Sequence, residues 1–356
     1  MAQYTCIAVN DSLLNNPAYQ PFGTYPMNRS SLVVALVALF IVLTMPKGLI
    51  AQDAISFKGV LFSDYSYVLN SPERDFEGQN GFGFRRARLT ADFKKSDRFS
   101  GRLRFESSDD SQNVHGKPAP YIKDLYVKWK NVIGAGHSAT LGLSRPPIWG
   151  ASEDHWGYRA IEKTIQDRAK IANSRDIGIG LDGPISPDGR LTYSAMFANN
   201  SAGKAETDKF KRVYGLVGYA PSAAIQMTVA SDYYAFDGGS SLNINAFLGY
   251  TLEKARIGVE GFYNPISFDG MTDEDIRNGI SVYGSYDLSD SRRIIARYDY
   301  SDRDNRGAES AEDWATIGFA FRLESGVEFI PNLIYQKSDL DDDPTITGRL
   351  TAWVSF

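Results

Sequence analysis

Cysteine is almost absent: the chain has one, Cys6, among 356 residues. A single thiol excludes an internal disulfide and any zinc-ligand spacing. Histidine is nearly as scarce. His115, His137 and His155 are scattered along the chain and supply neither a metal-ligand set nor a Ser-His-Asp arrangement. No enzymatic activity, metal or cofactor is expected. Excess positive charge is missing too. The 38 basic and 43 acidic residues leave a net charge of −5, whereas nucleic-acid binding wants a basic face. The mean hydropathy of −0.30 is too low for a bundle of membrane helices. It does not exclude a membrane β-barrel, in which only alternate residues face lipid.

Long apolar runs are also rare. The one of note covers residues 32–45, short of the ~20 residues that a spanning helix needs. Arg29 precedes it, Pro46, Lys47 and Gly48 end it, and Ala51 is a small residue at a cleavage point. Residues 27–51 therefore read as a secretory signal peptide. Leu49 at the −3 position is not small, which leaves the cut open by a few residues. An uncleaved anchor helix is the rival. Residues 1–26 resemble neither a charged leader nor a domain, so the expected start is Met27, with 1–26 an upstream translation artefact. Cys6 is then lost.

What the chain does have is 20 Tyr, 20 Phe and 32 Gly, a composition of many strands and tight turns. Alternating segments recur at 55–70, 81–95, 98–108, 119–130, 137–145, 174–182, 190–199, 210–220, 223–236, 242–252, 254–264, 278–287, 291–301, 313–322, 325–337 and 345–356. That makes about sixteen strands, of a length that suits tilted membrane strands. Links such as 96–97, 221–222, 288–290 and 323–324 are short. They alternate with longer polar links at 71–80, 109–118, 146–173, 200–209, 265–277, 302–312 and 338–344, with 237–241 the weakest case. Short inner turns alternating with long outer loops mark a bacterial outer-membrane barrel. A soluble sandwich has no reason to alternate in this way.

The faces agree. Ala87, Leu89, Ala91 and Phe93 share one face, and Arg86, Arg88, Thr90 and Asp92 the other. Phe99, Leu103 and Phe105 oppose Arg102, Arg104 and Glu106. The expected fold is all-β: a transmembrane antiparallel barrel over residues 52–356, with the long third extracellular loop, 146–173, folded inward as a constriction. A structureless stretch of that length is functional or disordered, and this one is too aromatic for a linker. The terminal Phe356 on an alternating strand resembles the C-terminal signal that the Gram-negative barrel-assembly machinery reads.

Four stretches carry a family resemblance: Gly-Phe-Arg-Arg-Ala-Arg-Leu (83–89), Tyr-Ile-Lys-Asp-Leu-Tyr-Val-Lys-Trp (121–129), Trp-Gly-Tyr-Arg-Ala-Ile-Glu-Lys-Thr (156–164) and Ser-Arg-Asp-Ile-Gly-Ile-Gly-Leu (174–181). They resemble the phosphate-selective porin O and P family. The resemblance is clearest over 81–198 and thinner beyond. It implies a sixteen-stranded trimeric barrel with an inward third loop. The arginine ladder and lysine-rich entrance of the phosphate-specific members have no residue-by-residue counterpart here.

Alternation places Arg86, Arg88, Arg102, Arg104 and Lys128 in the lumen from the second to fourth strands. It places Arg293, Arg297, Arg322 and Arg349 there from the last four. Closure makes one basic arc of the two groups, with Asp92, Glu106, Asp124, Glu260, Asp299 and Glu328 interspersed. The loop offers Trp149, Glu153, Asp154, His155, Trp156, Tyr158, Arg159, Glu162, Lys163, Asp167 and Arg168. One expectation is a transverse field between this basic wall and the acidic loop; the plainer one is that inward charges only keep the lumen wet and pair with one another. Trp149, Trp156 and Tyr158 are read as anchors of the loop rather than sugar-stacking platforms. Tyr65, Tyr67, Trp129, Tyr298, Tyr300 and Trp353 are read as interfacial girdles. His155 and the acidic run 339–343 are read as solvated.

The function expected is an outer-membrane porin of a Gram-negative bacterium: a passive channel for small hydrophilic solutes, with a preference for anions. The alternatives are a substrate-specific phosphate or polyphosphate channel, a non-conducting structural barrel and an outer-membrane enzyme. Expected partners are the solutes or anions, outer-membrane lipid and lipopolysaccharide, the assembly machinery and two further copies of the chain.

Overall fold

The computed structural model describes residues 55–109, 111–302 and 311–356. The expected artefact 1–26 and signal peptide 27–51 lie outside the described residues. The strands are β1 (Ile55–Asn70), β2 (Asn80–Lys94), β3 (Phe99–Ser108), β4 (Tyr121–Lys130), β5 (Ser138–Ser144), β6 (Asp176–Pro184), β7 (Leu191–Ala198), β8 (Arg212–Ser222), β9 (Ile225–Phe236), β10 (Gly239–Thr251), β11 (Ala255–Phe268), β12 (Asp275–Ser289), β13 (Arg292–Asp302), β14 (Ala311–Glu324), β15 (Val327–Ser338) and β16 (Thr345–Ser355). Each pairs antiparallel with its sequence neighbours, and β16 pairs with β1 to close the barrel. Closure pairs every strand edge, which a hydrocarbon environment requires.

Alternation along each strand creates two unlike surfaces. On β13, Ile295, Arg297, Asp299 and Ser301 are buried on the inside, while Ile294, Tyr298 and Tyr300 are exposed on the outside. On β10, Asn243, Asn245 and Phe247 are buried inside and Leu242, Ile244 and Leu248 exposed outside. The outside is a belt of large apolar side chains that includes Phe57, Leu89, Leu125, Leu141, Val229 and Ile317. Such a belt is stable against lipid tails and not against water.

The links keep the alternation of short and long, with two corrections. The expected outer loop 237–241 is the two-residue turn Asp237-Gly238, because Gly239–Ser241 pair with both β9 and β11. Gly238 supplies the left-handed backbone, at φ 83°, that a tight hairpin needs. The expected loop 265–277 shrinks to 269–274, because pairing between β11 and β12 continues past Pro265, with Ile266 opposite Asp275. At the seam, the Gly59 N–H donates to the Phe356 carbonyl (2.7 Å), and the Phe356 N–H donates to that of Gly59 (3.1 Å). The terminal ring lies across Gly59, where a Cβ would stand 2.1 Å from the ring carbon Cζ.

Candidate functional site: the third loop and the lumen

The link 145–175 folds inside the barrel. It contains two short helices, α1 (Gly150–Trp156) and α2 (Ile165–Arg168). Gly157 ends α1 in the left-handed region, at φ 72°, the usual glycine stop. The large apolar side chains of the loop are spent on anchoring. Ile148 and Trp149 pack on Met196, Ala198 and Tyr214 of β7 and β8. Trp156, Tyr158 and Ile161 pack on Phe247, Tyr283, Ile295, Trp314 and Ile330. Ile165, Ala169 and Ile171 pack on Phe262. Trp149, Trp156 and Tyr158 are buried; Trp149 and Trp156 offer no open face to a sugar ring, and Tyr158 reaches only the small cavity that it lines with Trp353 and Arg293.

The wall beneath the loop is built to receive it. Gly249 and Gly279 occupy inward positions, and a Cβ at Gly249 would stand 2.8 Å from the His155 ring. At Gly279 it would stand 3.0 Å from Ile165 Cδ1. His155 is buried against Phe247 and Tyr283, with Nδ1 3.3 Å from the Tyr283 hydroxyl. The expectation of a solvated His155 is therefore corrected: α1 turns it toward the barrel wall. Burial, aided by Arg256, lowers its pKa from the ordinary 6.5. Glu260 on β11 accepts hydrogen bonds from both helical turns, Ser152 Oγ at 2.6 Å and the Ile165 N–H at 3.3 Å.

Arginines from the wall clamp the loop's backbone. Arg349 donates to the Ile161 carbonyl (2.7 Å), Arg297 to that of Lys163 (2.6 Å) and Arg212 to that of Ile171 (3.1 Å). Arg85 reaches the carbonyls of Ala160 and Ile161. Arg297 and Arg349 were expected to line the pore. They are instead covered by the loop; Arg297 is 3% exposed. Arg293 pairs with Asp287 and touches the Tyr158 hydroxyl (3.3 Å), and Arg322 pairs with Glu328 (3.2 Å) near the short-turn end. Trp353 is also corrected. It shares the inward face of Thr351 and lines a cavity with Tyr158 and Arg293, whereas Tyr65, Tyr67, Trp129, Tyr298 and Tyr300 are exposed outside.

The acidic loop does not face the basic wall as a free charge. Glu153 pairs with Arg159 (2.8 Å) and Arg145 (3.2 Å), Asp167 with Arg159 (2.9 Å), and Asp154 with Arg145 (3.4 Å). Burial opposes ionisation of Glu153, but Arg159 and Arg145 outweigh it and hold its pKa below the ordinary 4.5. Glu162 accepts the Lys163 N–H (2.8 Å), and Arg168 pairs with Glu312 and with Asp299 (3.5 Å). The loop neutralises its own acids, which corrects the transverse-field expectation.

The open lumen lies on the other side. A cavity of about 330 Å³ is lined by Arg102, Arg104, Lys128, Arg145 and Arg175, with Asp124 and Asp182 as its only carboxylates. Arg102 holds Asp92 through two bonds (2.6 and 3.0 Å), and Lys128 holds Asp182 (3.1 Å). Arg104 lies 3.0 Å from Asp124, which Arg175 also grips. Beside them Arg86 (3.8 Å), Lys123 (3.4 Å) and Arg88 surround the single Glu106. Arg102 and Lys128 are matched one to one, and the excess of bases over acids in this arc comes from the groups around Asp124 and Glu106.

Alternation alone missed four of these bases. Two come from β-bulges. The β1–β2 register slips between Phe62 and Ser63, so Arg85 and Arg86 both turn inward. The β3–β4 register slips between Arg104 and Phe105, so Lys123 joins Asp124. An extra residue in one strand does this by re-aiming a side chain. Arg145 and Arg175 fall in the expected segments 137–145 and 174–182, but they stand just beyond the observed ends of β5 and β6, at the two ends of the loop. Among the described residues no three His, Cys, Asp or Glu side chains gather as a metal site.

No family model matches the chain, and no curated protein matches it. Solved structures do. The anion-selective porin from Comamonas acidovorans is 14% identical, with a TM-score of 0.66 over 85% of this chain and 99% of its own. OmpT of Vibrio cholerae is 15% identical, with a TM-score of 0.63 over 86% and 99%. The outer-membrane channel DcaP of Acinetobacter baumannii is 11% identical, with a TM-score of 0.62 over 85% and 97%. Closed topology, inward loop and these likenesses together give one conclusion: the chain has the sixteen-stranded barrel fold of outer-membrane porins.

Proposed function

We propose that the protein is a passive channel in the outer membrane of a Gram-negative bacterium, open to small hydrophilic solutes and preferring anions. The observation that carries this reading is the lumen cavity, where Arg102, Arg104, Lys128, Arg145 and Arg175 outnumber Asp124 and Asp182. A low-dielectric wall focuses that excess and raises the local concentration of anions. Charged linings of one sign set ion preference in pores. One solved porin of the same fold is described as anion-selective. A narrower reading, a channel for phosphate or polyphosphate, follows from the sequence resemblance and uses the same arginines. It adds a saturable site where Arg104 and Arg175 converge on Asp124. The signal segment 27–51 is removed on export, and the barrel assembles as a homotrimer; OmpT, which shares the fold, is described in a trimer form.

The test is the reversal potential under a potassium chloride gradient, with Arg102→Ala and Arg104→Ala beside the parent channel. The substitutions are expected to shift the potential toward cation permeability. Identical potentials in all three proteins would remove the lumen arginines as the selectivity element. Phosphate titrated into the same bilayer separates the two readings, because only a specific site saturates at low phosphate.

A further inference from the structure

Arg256 is set apart from the other arginines of the inner wall. Those from Arg85 to Arg349 each have a carboxylate within 4.0 Å. Among the described residues no ion pair reaches Arg256, and the residue is exposed. It lies one residue into β11, at the short-turn end of the barrel, and lines a separate cavity of about 120 Å³ on the far side of the loop from the basic lumen. Gly157, Tyr158 and Ala160 of the loop roof this cavity, and Trp353, Arg293 and Glu328 wall it. The roof is held, because Arg85 binds the Ala160 carbonyl and, with Arg349, that of the adjacent Ile161. The loop thus covers one side of the pouch, and Arg256, Arg293 and Glu328 line it next to the short turns.

The charges in the pouch sum to one unbalanced positive. Arg293 is neutralised by a two-bond pair with Asp287, and Glu328 by Arg322. Arg256 remains. Trp353 and Tyr158 line the same cavity. An unpaired guanidinium next to two aromatic walls fits a flat ring bearing a carboxylate: the guanidinium takes the carboxylate, and the rings take the apolar body. The cavity volume admits a single ring and little more. A dianion is disfavoured, because Glu328 stands on the same wall.

We propose that this pouch is a binding site for small aromatic monocarboxylates, reached from the short-turn side and distinct from the conducting lumen. It does not depend on the ion preference of the lumen. The probe is benzoate, titrated calorimetrically into the full chain refolded in detergent, with acetate and inorganic phosphate as comparison ligands. Saturable benzoate binding is expected, with acetate and phosphate much weaker. Arg256→Gln should weaken benzoate binding about tenfold or more, the loss of one charge-assisted contact. Trp353→Leu should weaken it as well, while Arg104→Ala in the lumen should leave it unchanged. Arg256 is exposed and unpaired, so its variant keeps the barrel, which the β-sheet circular dichroism of the same sample reports. The proposal is overturned by any of three results: no saturable benzoate binding to the parent chain, equal binding by Arg256→Gln, or acetate binding as tight as benzoate.

Discussion

Replacing Arg297 with Ala should release the third loop without unfolding the barrel. Arg297 donates twice to Asp299 (2.7 Å each) and once to the Lys163 carbonyl (2.6 Å). Its guanidinium also lies over Trp156 at 5.3 Å and Trp314 at 5.4 Å. Removing one partner of a buried ion pair costs roughly 3–5 kcal/mol, because the other charge is left uncompensated. Asp299 is fully buried and, among the described residues, keeps Arg168 at 3.5 Å as its remaining cation. The lost carbonyl contact to a charged donor adds about 1.5–3 kcal/mol. These costs fall on the docked loop, since backbone pairing of β13 with β12 and β14 does not involve the side chain. The variant should therefore show current noise absent from the parent channel, and faster trypsin cleavage at Lys163, Arg168 or Lys170. Adding Asp299→Ala removes the stranded charge and should restore part of the protection. Steady currents and unchanged cleavage in Arg297→Ala would refute the clamp.

Three further outcomes follow from the structure. Ile244 sits on the outer face of β10, and Ile244→Arg should destabilise the barrel by about 2–4 kcal/mol in urea titrations from lipid vesicles. Gly59→Val should lower folding yield, because its side chain would occupy the place of the Phe356 ring; a normal yield would show that the ring placement is dispensable. Loop docking should weaken in two stages as pH falls. His155 has its pKa lowered from 6.5, so its contribution is complete above 6.5 and lost as pH drops toward the lowered value. Glu153 has its pKa lowered from 4.5, so its contribution is complete above 4.5 and lost below. Loop proteolysis measured against pH should show both stages, and His155→Gln should abolish the upper one only.

Much of the fold was legible because a two-residue period can be read directly from a sequence. β1 over residues 55–70 coincides with its expected span, and the other strands shift only at their ends. The bulges at Arg85 and Lys123 were not legible. One extra residue leaves no compositional trace, yet it turns two bases inward. The side of the barrel that receives the loop does carry a signal in the sequence. Phe247, Phe262, Tyr283, Ile295, Trp314 and Ile330 all fall on the inward parity, where a water-filled lumen wants polar residues, and all six are buried under the loop. That signal also separates clamp from pore. Arg297 lies on the covered wall, whereas Arg102 and Arg104 lie on the open one. Parity alone ranks the three alike, and only the position of the loop divides them.

The central claim is an open, anion-preferring lumen between the loop and the basic arc. Single-channel recording of the refolded full chain in a planar bilayer, under a potassium chloride gradient, tests it most directly. Discrete ohmic steps are expected, with a reversal potential displaced toward that of chloride. A potential displaced toward that of potassium, or no steps at all, would contradict it.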